Sequence, residues 1–107
     1  IKGDKKPIGG LQYGRHRNYT KATIFMDEPI MLYLASDGFQ DQFGGSRNKK
    51  FMKGEFKKLL HDIHDKTLEN QKTHLDSLFK HWMNEGLEEQ IDDVLVMGVR
   101  LYSIKLP

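Results

Sequence analysis

The residues best suited to chemistry are carboxylates placed beside two apolar segments. Ser36-Asp37-Gly38 directly follows the apolar run that begins at Ile30, and Asp92-Asp93 directly precedes a second apolar run. Carboxylate oxygens are the hard ligands that Mg²⁺ and Mn²⁺ prefer. A divalent cation held by such residues can activate water for hydrolysis. The residue types therefore point to metal-assisted hydrolysis.

Each of these two segments also has an ordinary structural explanation. Asp-Gly is a common turn pair, because glycine allows a sharp turn without a Cβ clash. One of the adjacent carboxylates of Asp92 and Asp93 can cap the start of a strand with a hydrogen bond. The two segments are a stronger candidate for a metal site when they are considered together. If the flanking strands are antiparallel neighbours, Asp37 and Asp92 lie at the same rim of one sheet.

The histidines are a weaker candidate for metal binding. His61 and His64 lie one helical turn apart, and His74 and His81 lie two turns apart, so either pair could ligate zinc in principle. All four lie within two residues of a lysine or an aspartate in surface-type patterns, and no third ligand follows at the usual spacing. We predict that these histidines are solvated.

Strands must position the aspartates. Residues 30–36 form a nearly continuous apolar run, which predicts a central strand covered on both faces. Residues 20–26 are rich in β-branched and aromatic side chains, and Asp27-Glu28-Pro29 forms a turn signal, so we predict a β-hairpin. Residues 94–104 predict another interior strand, and residues 39–50 have a loop composition.

Two amphipathic helices are predicted between the strands. Each has apolar residues at helical spacing, and Gly86 is placed to end the second helix. The first stripe consists of Met52, Phe56, Leu59, Leu60 and Ile63, and the second consists of Leu75, Leu78, Phe79, Trp82 and Met83.

Composition limits the class of protein. A chain of 107 residues with 37% hydrophobic content supports one domain or part of one. The net charge of +2 is too small to demand a nucleic acid, although residues 1–21 carry six cations and one aspartate. No apolar run approaches the ~20 residues that span a bilayer. The absence of cysteine excludes disulfides, a thiolate nucleophile and cysteine-ligated zinc, and it favours the cytoplasm.

The motifs together resemble a known family. The string LYLASDGFQDQFGG, a helix that starts near KKF, a second helix with a tryptophan, and EEQIDDVLVMGVRL resemble the C-terminal half of the SpoIIE/RsbU-type serine phosphatases. These are metal-dependent phosphatases of the PPM (type 2C) class. The similarity extends from about Pro7 to about Leu101.

The resemblance implies a fold and a mechanism. The fold is α+β, an α-β-β-α sandwich of two antiparallel sheets flanked by helices, with a dinuclear Mn²⁺ or Mg²⁺ site at one end. A metal-bridging water attacks phosphoserine or phosphothreonine. Asp37 and Asp92 match metal ligands, Gly38 matches the turn glycine, and Asp93 matches a supporting residue. No catalytic residue is implied beyond the ligands. The implied substrate is a phosphorylated bacterial signalling protein, such as a STAS-type anti-sigma-factor antagonist.

The sequence departs from the family at one motif. The N-terminal metal motif GD-x-x-GHG does not occur in residues 1–107. We therefore expect the chain to be the C-terminal portion of one larger phosphatase domain, with residues 1–18 as a basic, loop-rich lead-in. We expect it to bind metal weakly, to hydrolyse little, and to expose sheet edges that favour a homodimer. The alternatives are a non-catalytic protein-interaction module with the same fold and a small nucleic-acid-binding domain.

Overall fold

The computed structural model describes residues 1–5 and 18–103, so most of the predicted lead-in at residues 1–18 lies outside the described residues. Within the described ranges the fold is α+β, as predicted, with two helices and two small antiparallel sheets. In chain order the elements are β1 (Ile30–Ala35), β2 (Phe43–Gly44), β3 (Lys49–Lys50), α1 (Lys53–Ile63), α2 (Leu68–Glu85) and β4 (Val96–Leu101).

Strands β1 and β4 form the larger sheet, and their antiparallel pairing is the arrangement that the sequence predicts for a shared rim. Ile30 pairs with Leu101 at one end, and Ala35 pairs with Val96 at the other. One face of this sheet borders α2 across a cleft of about 650 Å³. The alternate positions lie on the opposite face, and all six are apolar: Ile30, Leu32, Leu34, Met97, Val99 and Leu101.

Three details of the strand prediction are wrong. Residues 20–26 form neither a strand nor a hairpin with β1, and Phe25 is 91% exposed. In the described sheet β1 and β4 are each paired on one side alone. Among the described residues, therefore, neither strand is central as predicted, and Leu34 is 55% exposed. The cause is that β-propensity acts through pairing with a neighbouring strand, and the described residues supply one neighbour to β1. Residues 39–50, predicted as loop, contain the short β2–β3 hairpin.

Both predicted helices are confirmed. The buried residues of α1 are Phe56, Leu59 and Ile63, all from the predicted apolar stripe. Met52, predicted to begin that stripe, instead precedes the helix as its N-cap residue and is 55% exposed. Helix α2 begins after Thr67, whose side chain accepts a hydrogen bond from the Asn70 amide, and it ends at Gly86 as predicted. Neither α1 nor α2, the helices of the described ranges, has the length and apolar content needed to cross a membrane.

The hydrophobic core is centred on Phe39. Its ring stacks on Phe56 with centroids 4.8 Å apart, and it lies 5.0 Å from the ring of Phe79. Leu59 and Ile63 complete the buried cluster. Because Phe39 follows Asp37 by two residues, its burial holds the start of the loop after β1 against both helices.

A polar cluster ties the sheet to the turn between the helices. The Tyr33 hydroxyl donates to Gln71 Oε1 at 2.5 Å. The Gln71 amide nitrogen donates to the carbonyls of His64 and Lys66 at 3.1 and 2.9 Å. Arg100 Nη2 donates to the same two carbonyls at 2.8 and 2.7 Å. Backbone oxygens at the C-terminal end of α1 are thus satisfied by side chains from α2 and β4.

We predict that ionisation of the Tyr33 hydroxyl lowers the stability of the fold at alkaline pH. Burial raises the pKa of the Tyr33 phenol above its ordinary value of 10.0, and the Arg100 charge opposes this shift in part. The folded state therefore holds the proton more tightly than the unfolded state. The stabilisation is complete below the unfolded pKa and is lost as the pH rises through the folded pKa.

The measurement is urea unfolding at pH values from about 9 to 11. We expect the free energy of unfolding to fall less steeply with pH in Tyr33→Phe than in the wild type. Tyr102→Phe is the control, because Tyr102 is 64% exposed. An unchanged slope in Tyr33→Phe would show that another group governs the alkaline transition.

Replacing each of two glycines with alanine should change the stability of the fold in opposite directions. A Cβ on Gly54, inside α1, would have open space around it, so Gly54→Ala should stabilise the fold by about 0.5–1 kcal/mol. Gly45 has φ of +73°, and a Cβ there would lie 2.4 Å from the Trp82 ring. Gly45→Ala should therefore destabilise the fold by about 1–3 kcal/mol. Urea midpoints compare the two variants, and equal effects would contradict this account.

Candidate metal site

Ser36 joins the two carboxylate segments at one rim of the β1–β4 sheet. Its amide donates to the Leu95 carbonyl at 2.9 Å. Its hydroxyl donates to the Asp93 carbonyl at 3.1 Å and accepts from the Leu95 amide at 3.0 Å. Because Ala35 already pairs with Val96, these bonds extend the strand pairing toward Asp37 and Asp93. The structure thus brings the predicted segments together at one rim.

Gly38 permits the close approach of the two segments. It is buried, and a Cβ at this position would lie 2.1 Å from the Asp93 carbonyl oxygen. Any other residue would force the backbones apart, so the requirement for glycine comes from this contact. The chain then turns, and the Asp41 amide donates to the Asp37 carbonyl at 3.0 Å.

The three carboxylates at this rim belong to exposed residues. Asp92 Oδ1 accepts from the Asp93 amide at 2.8 Å, and the Asp92 carbonyl accepts from Gln90 Nε2 at 2.9 Å. Asp92 therefore makes the local backbone contact that the capping alternative predicts. Within the described residues the Asp37 carboxylate has neither a hydrogen-bond nor an ion-pair partner.

The donor chemistry fits part of a metal site. Exposed carboxylates from two segments that meet at one rim supply the oxygen ligands that suit Mg²⁺ or Mn²⁺. Across residues 1–5 and 18–103, however, no cluster of three or more His, Cys, Asp or Glu side chains could hold a metal ion. The described residues therefore offer Asp37 and Asp92 as candidate ligands without completing a coordination sphere.

The four histidines of the helices are exposed, as predicted. The rings of His61 and His64 lie 5.2 Å apart, and His64 Nδ1 contacts the His61 carbonyl oxygen. His81 Nε2 lies 3.8 Å from Glu85 Oε2 on the next turn of α2.

Gln42 is a positioning residue that the sequence does not reveal. It is 1% exposed, and Nε2 donates to the carbonyls of Glu89 and Phe43 at 2.8 and 3.0 Å. Its Oε1 accepts from the Ile91 amide at 3.2 Å, and its carbonyl accepts from Trp82 Nε1 at 2.9 Å. One side chain thus holds the segment that leads into Asp92, although a glutamine in a loop carries no sequence signal of burial.

Comparisons with protein families, with curated proteins and with solved structures found no match for this chain.

Replacement of Gln42 should loosen the candidate site. Gln42→Leu removes the partners of the Glu89 carbonyl and the Ile91 amide, so we expect a loss of about 1–3 kcal/mol of stability. Asn84→Leu is the control, because Asn84 is an exposed amide residue and such substitutions stay within about 0.5 kcal/mol. Urea unfolding followed by Trp82 fluorescence measures both, and equal losses would contradict the assigned role of Gln42.

Proposed function

We propose that this chain is part of a metal-dependent protein serine/threonine phosphatase of the SpoIIE-like PPM type. One observation carries the proposal: Ser36 and Gly38 hold the Asp37 and Asp92-Asp93 segments against each other at a single rim. Two carboxylates can share a hydrated metal centre only if their segments meet in this way, so the contact supports the proposal.

Asp37 and Asp92 are the proposed ligands of Mn²⁺ or Mg²⁺. When bound, such a cation lowers the pKa of its water and offsets charge on the phosphoryl group. Gly38 lets the Asp37 turn approach the second segment. Asp93 supports the site through its backbone, since its carbonyl accepts from Ser36 and its amide donates to Asp92. The remaining ligands would come from the GD-x-x-GHG motif, which residues 1–107 lack.

In this proposal the β1–β4 sheet belongs to one of the two sheets of an α-β-β-α sandwich. Its outer face is apolar at every position, and Leu34 and Met97 are 55% and 51% exposed. A face of this kind suits packing against a second sheet about 10 Å away. The opposite face lies toward α2, which would be an outer helix of the sandwich. Exposed apolar surface of this kind also supports the proposed tendency to form a homodimer.

The proposed substrate is a phosphorylated cytoplasmic signalling protein, with a STAS-type anti-sigma-factor antagonist as the implied example. The reaction is hydrolysis of its phosphoserine or phosphothreonine by water. Asp37 and Asp92 would hold the cation that activates this water, and both residues are exposed to a protein substrate.

The test is Mn²⁺-dependent hydrolysis of p-nitrophenyl phosphate by the complete product of the parent gene, with this chain alone measured beside it. We expect Asp37→Asn and Asp92→Asn each to reduce kcat/KM at least about 100-fold in the complete protein, because loss of a supporting residue of a metal site already costs about 10–100-fold. Asp27→Asn is the matched control, since Asp27 is an exposed aspartate that precedes the opposite end of β1. This chain alone should show little hydrolysis.

Two outcomes would contradict the proposal. Equal activity in Asp37→Asn and the wild type would remove Asp37 from the metal site. A complete protein that folds and binds Mn²⁺ but hydrolyses nothing would favour the non-catalytic interaction module.

A further inference from the structure

Positive charge is concentrated on the β2–β3 hairpin and the first half of α1. The segment 47–58 contains six exposed cations and one carboxylate, that of Glu55. We call these cations the basic patch: Arg47, Lys49, Lys50, Lys53, Lys57 and Lys58.

Helix geometry places the lysines of α1 on its solvent side. Phe56, Leu59 and Ile63 are buried and define the inward stripe. Lys53 and Lys57 lie one turn apart on the other side of the helix, so their charges are neighbours. Like charges at this spacing destabilise a helix, and the fold therefore gains nothing from their proximity.

Little of this charge is neutralised within the chain. Lys50 Nζ lies 3.9 Å from Asp41 Oδ1, and both side chains are close to half exposed. The same nitrogen lies 6.0 Å from the centre of the Phe43 ring. Within residues 1–5 and 18–103, the other five cations of the basic patch form no ion pair. The basic patch thus offers unneutralised positive charge to an external anion.

The basic patch begins beside the candidate metal site. The Phe51 amide donates to the Gln42 carbonyl at 3.0 Å, and the Met52 amide donates to the Gln40 carbonyl at 2.8 Å. Both acceptors belong to the loop that starts at Asp37. These bonds attach the junction of β3 and α1 directly to that loop, so one loop links the rim to the basic patch.

We propose that the basic patch binds an acidic segment of the phosphoprotein substrate. This inference rests on the proposed phosphatase function and assigns its substrate a chemical feature, namely carboxylates or further phosphates near the phosphorylated residue. Lysine ammonium groups form charge-assisted hydrogen bonds with both kinds of anion.

The surroundings of the basic patch favour a short acidic peptide over a nucleic acid or an anionic membrane. Glu88 Oε1 accepts from Asn48 Nδ2 at 2.7 Å, which places a carboxylate at the hairpin itself. Asp37 and Asp92 add carboxylates at the rim, which the loop from Asp37 to Gln42 connects to the hairpin. A long, uniformly charged polyanion that crossed this region would meet these carboxylates, whereas a peptide can confine its acidic residues to the basic patch.

The test is fluorescence anisotropy with this chain and a labelled phosphoserine peptide flanked by glutamates, without metal. We expect the double variant Lys53→Glu/Lys57→Glu to weaken binding by about tenfold at low salt, because two attractions become repulsions. Lys66→Glu/Lys72→Glu is the matched control, since it makes the same change in net charge at exposed positions outside the basic patch. If the Glu variant does not fold, Lys53→Gln/Lys57→Gln should weaken binding in the same direction.

Three results would overturn the proposal. These are equal weakening by the control pair, equal affinity for a peptide with glutamine in place of glutamate, and tighter binding of single-stranded DNA or phosphatidylserine vesicles than of the peptide. Peptide binding is measured without metal on this chain, and hydrolysis of p-nitrophenyl phosphate is measured on the complete protein, so a failed basic patch is distinguishable from a failed phosphatase. Peptide binding together with undiminished hydrolysis in Asp37→Asn would overturn the assignment of the peptide as a substrate.

Discussion

The contact between Gly38 and the carbonyl of Asp93 constrains the whole arrangement around the rim. Strand pairing alone brings Ala35 opposite Val96, and the chain must then turn without moving away from its neighbour. A residue without a Cβ makes that possible, because a Cβ would lie 2.1 Å from the carbonyl oxygen. The same turn places Phe39 at the centre of the core. One backbone contact thus couples the position of the carboxylates to the packing of both helices.

Polar side chains hold together segments that a larger hydrophobic core would otherwise hold together. The buried apolar cluster has five members, whereas Gln42 and Gln71, both nearly inaccessible to solvent, each satisfy several backbone groups. No buried side-chain nitrogen or oxygen in the described ranges lacks a partner. Such networks stabilise a fold when every member is satisfied, and they penalise the loss of any one member. The segment before Asp92 and the turn between the helices both depend on them.

Negative and positive charges occupy two connected regions of this surface. The rim contributes carboxylates, and the adjacent hairpin and helix contribute the basic patch. The loop from Asp37 to Gln42 connects the two regions through backbone hydrogen bonds. A phosphorylated protein carries the charge that the basic patch attracts, while a divalent cation would neutralise the carboxylates. The proposed phosphatase and its proposed acidic substrate therefore use neighbouring regions of opposite charge.

The sequence by itself determined both helices, because their apolar stripes and the position of Gly86 are local signals. It also determined the strands β1 and β4 and the placement of Asp37 and Asp92 at their ends. Tertiary structure alone decided that residues 20–26 are not a strand and that β1 has one described neighbour, since a strand depends on partners distant in sequence. It also decided the burial of Gln42 and the links made by Ser36. Those roles arise from backbone groups 47 to 59 residues away along the chain, and no local pattern encodes such contacts.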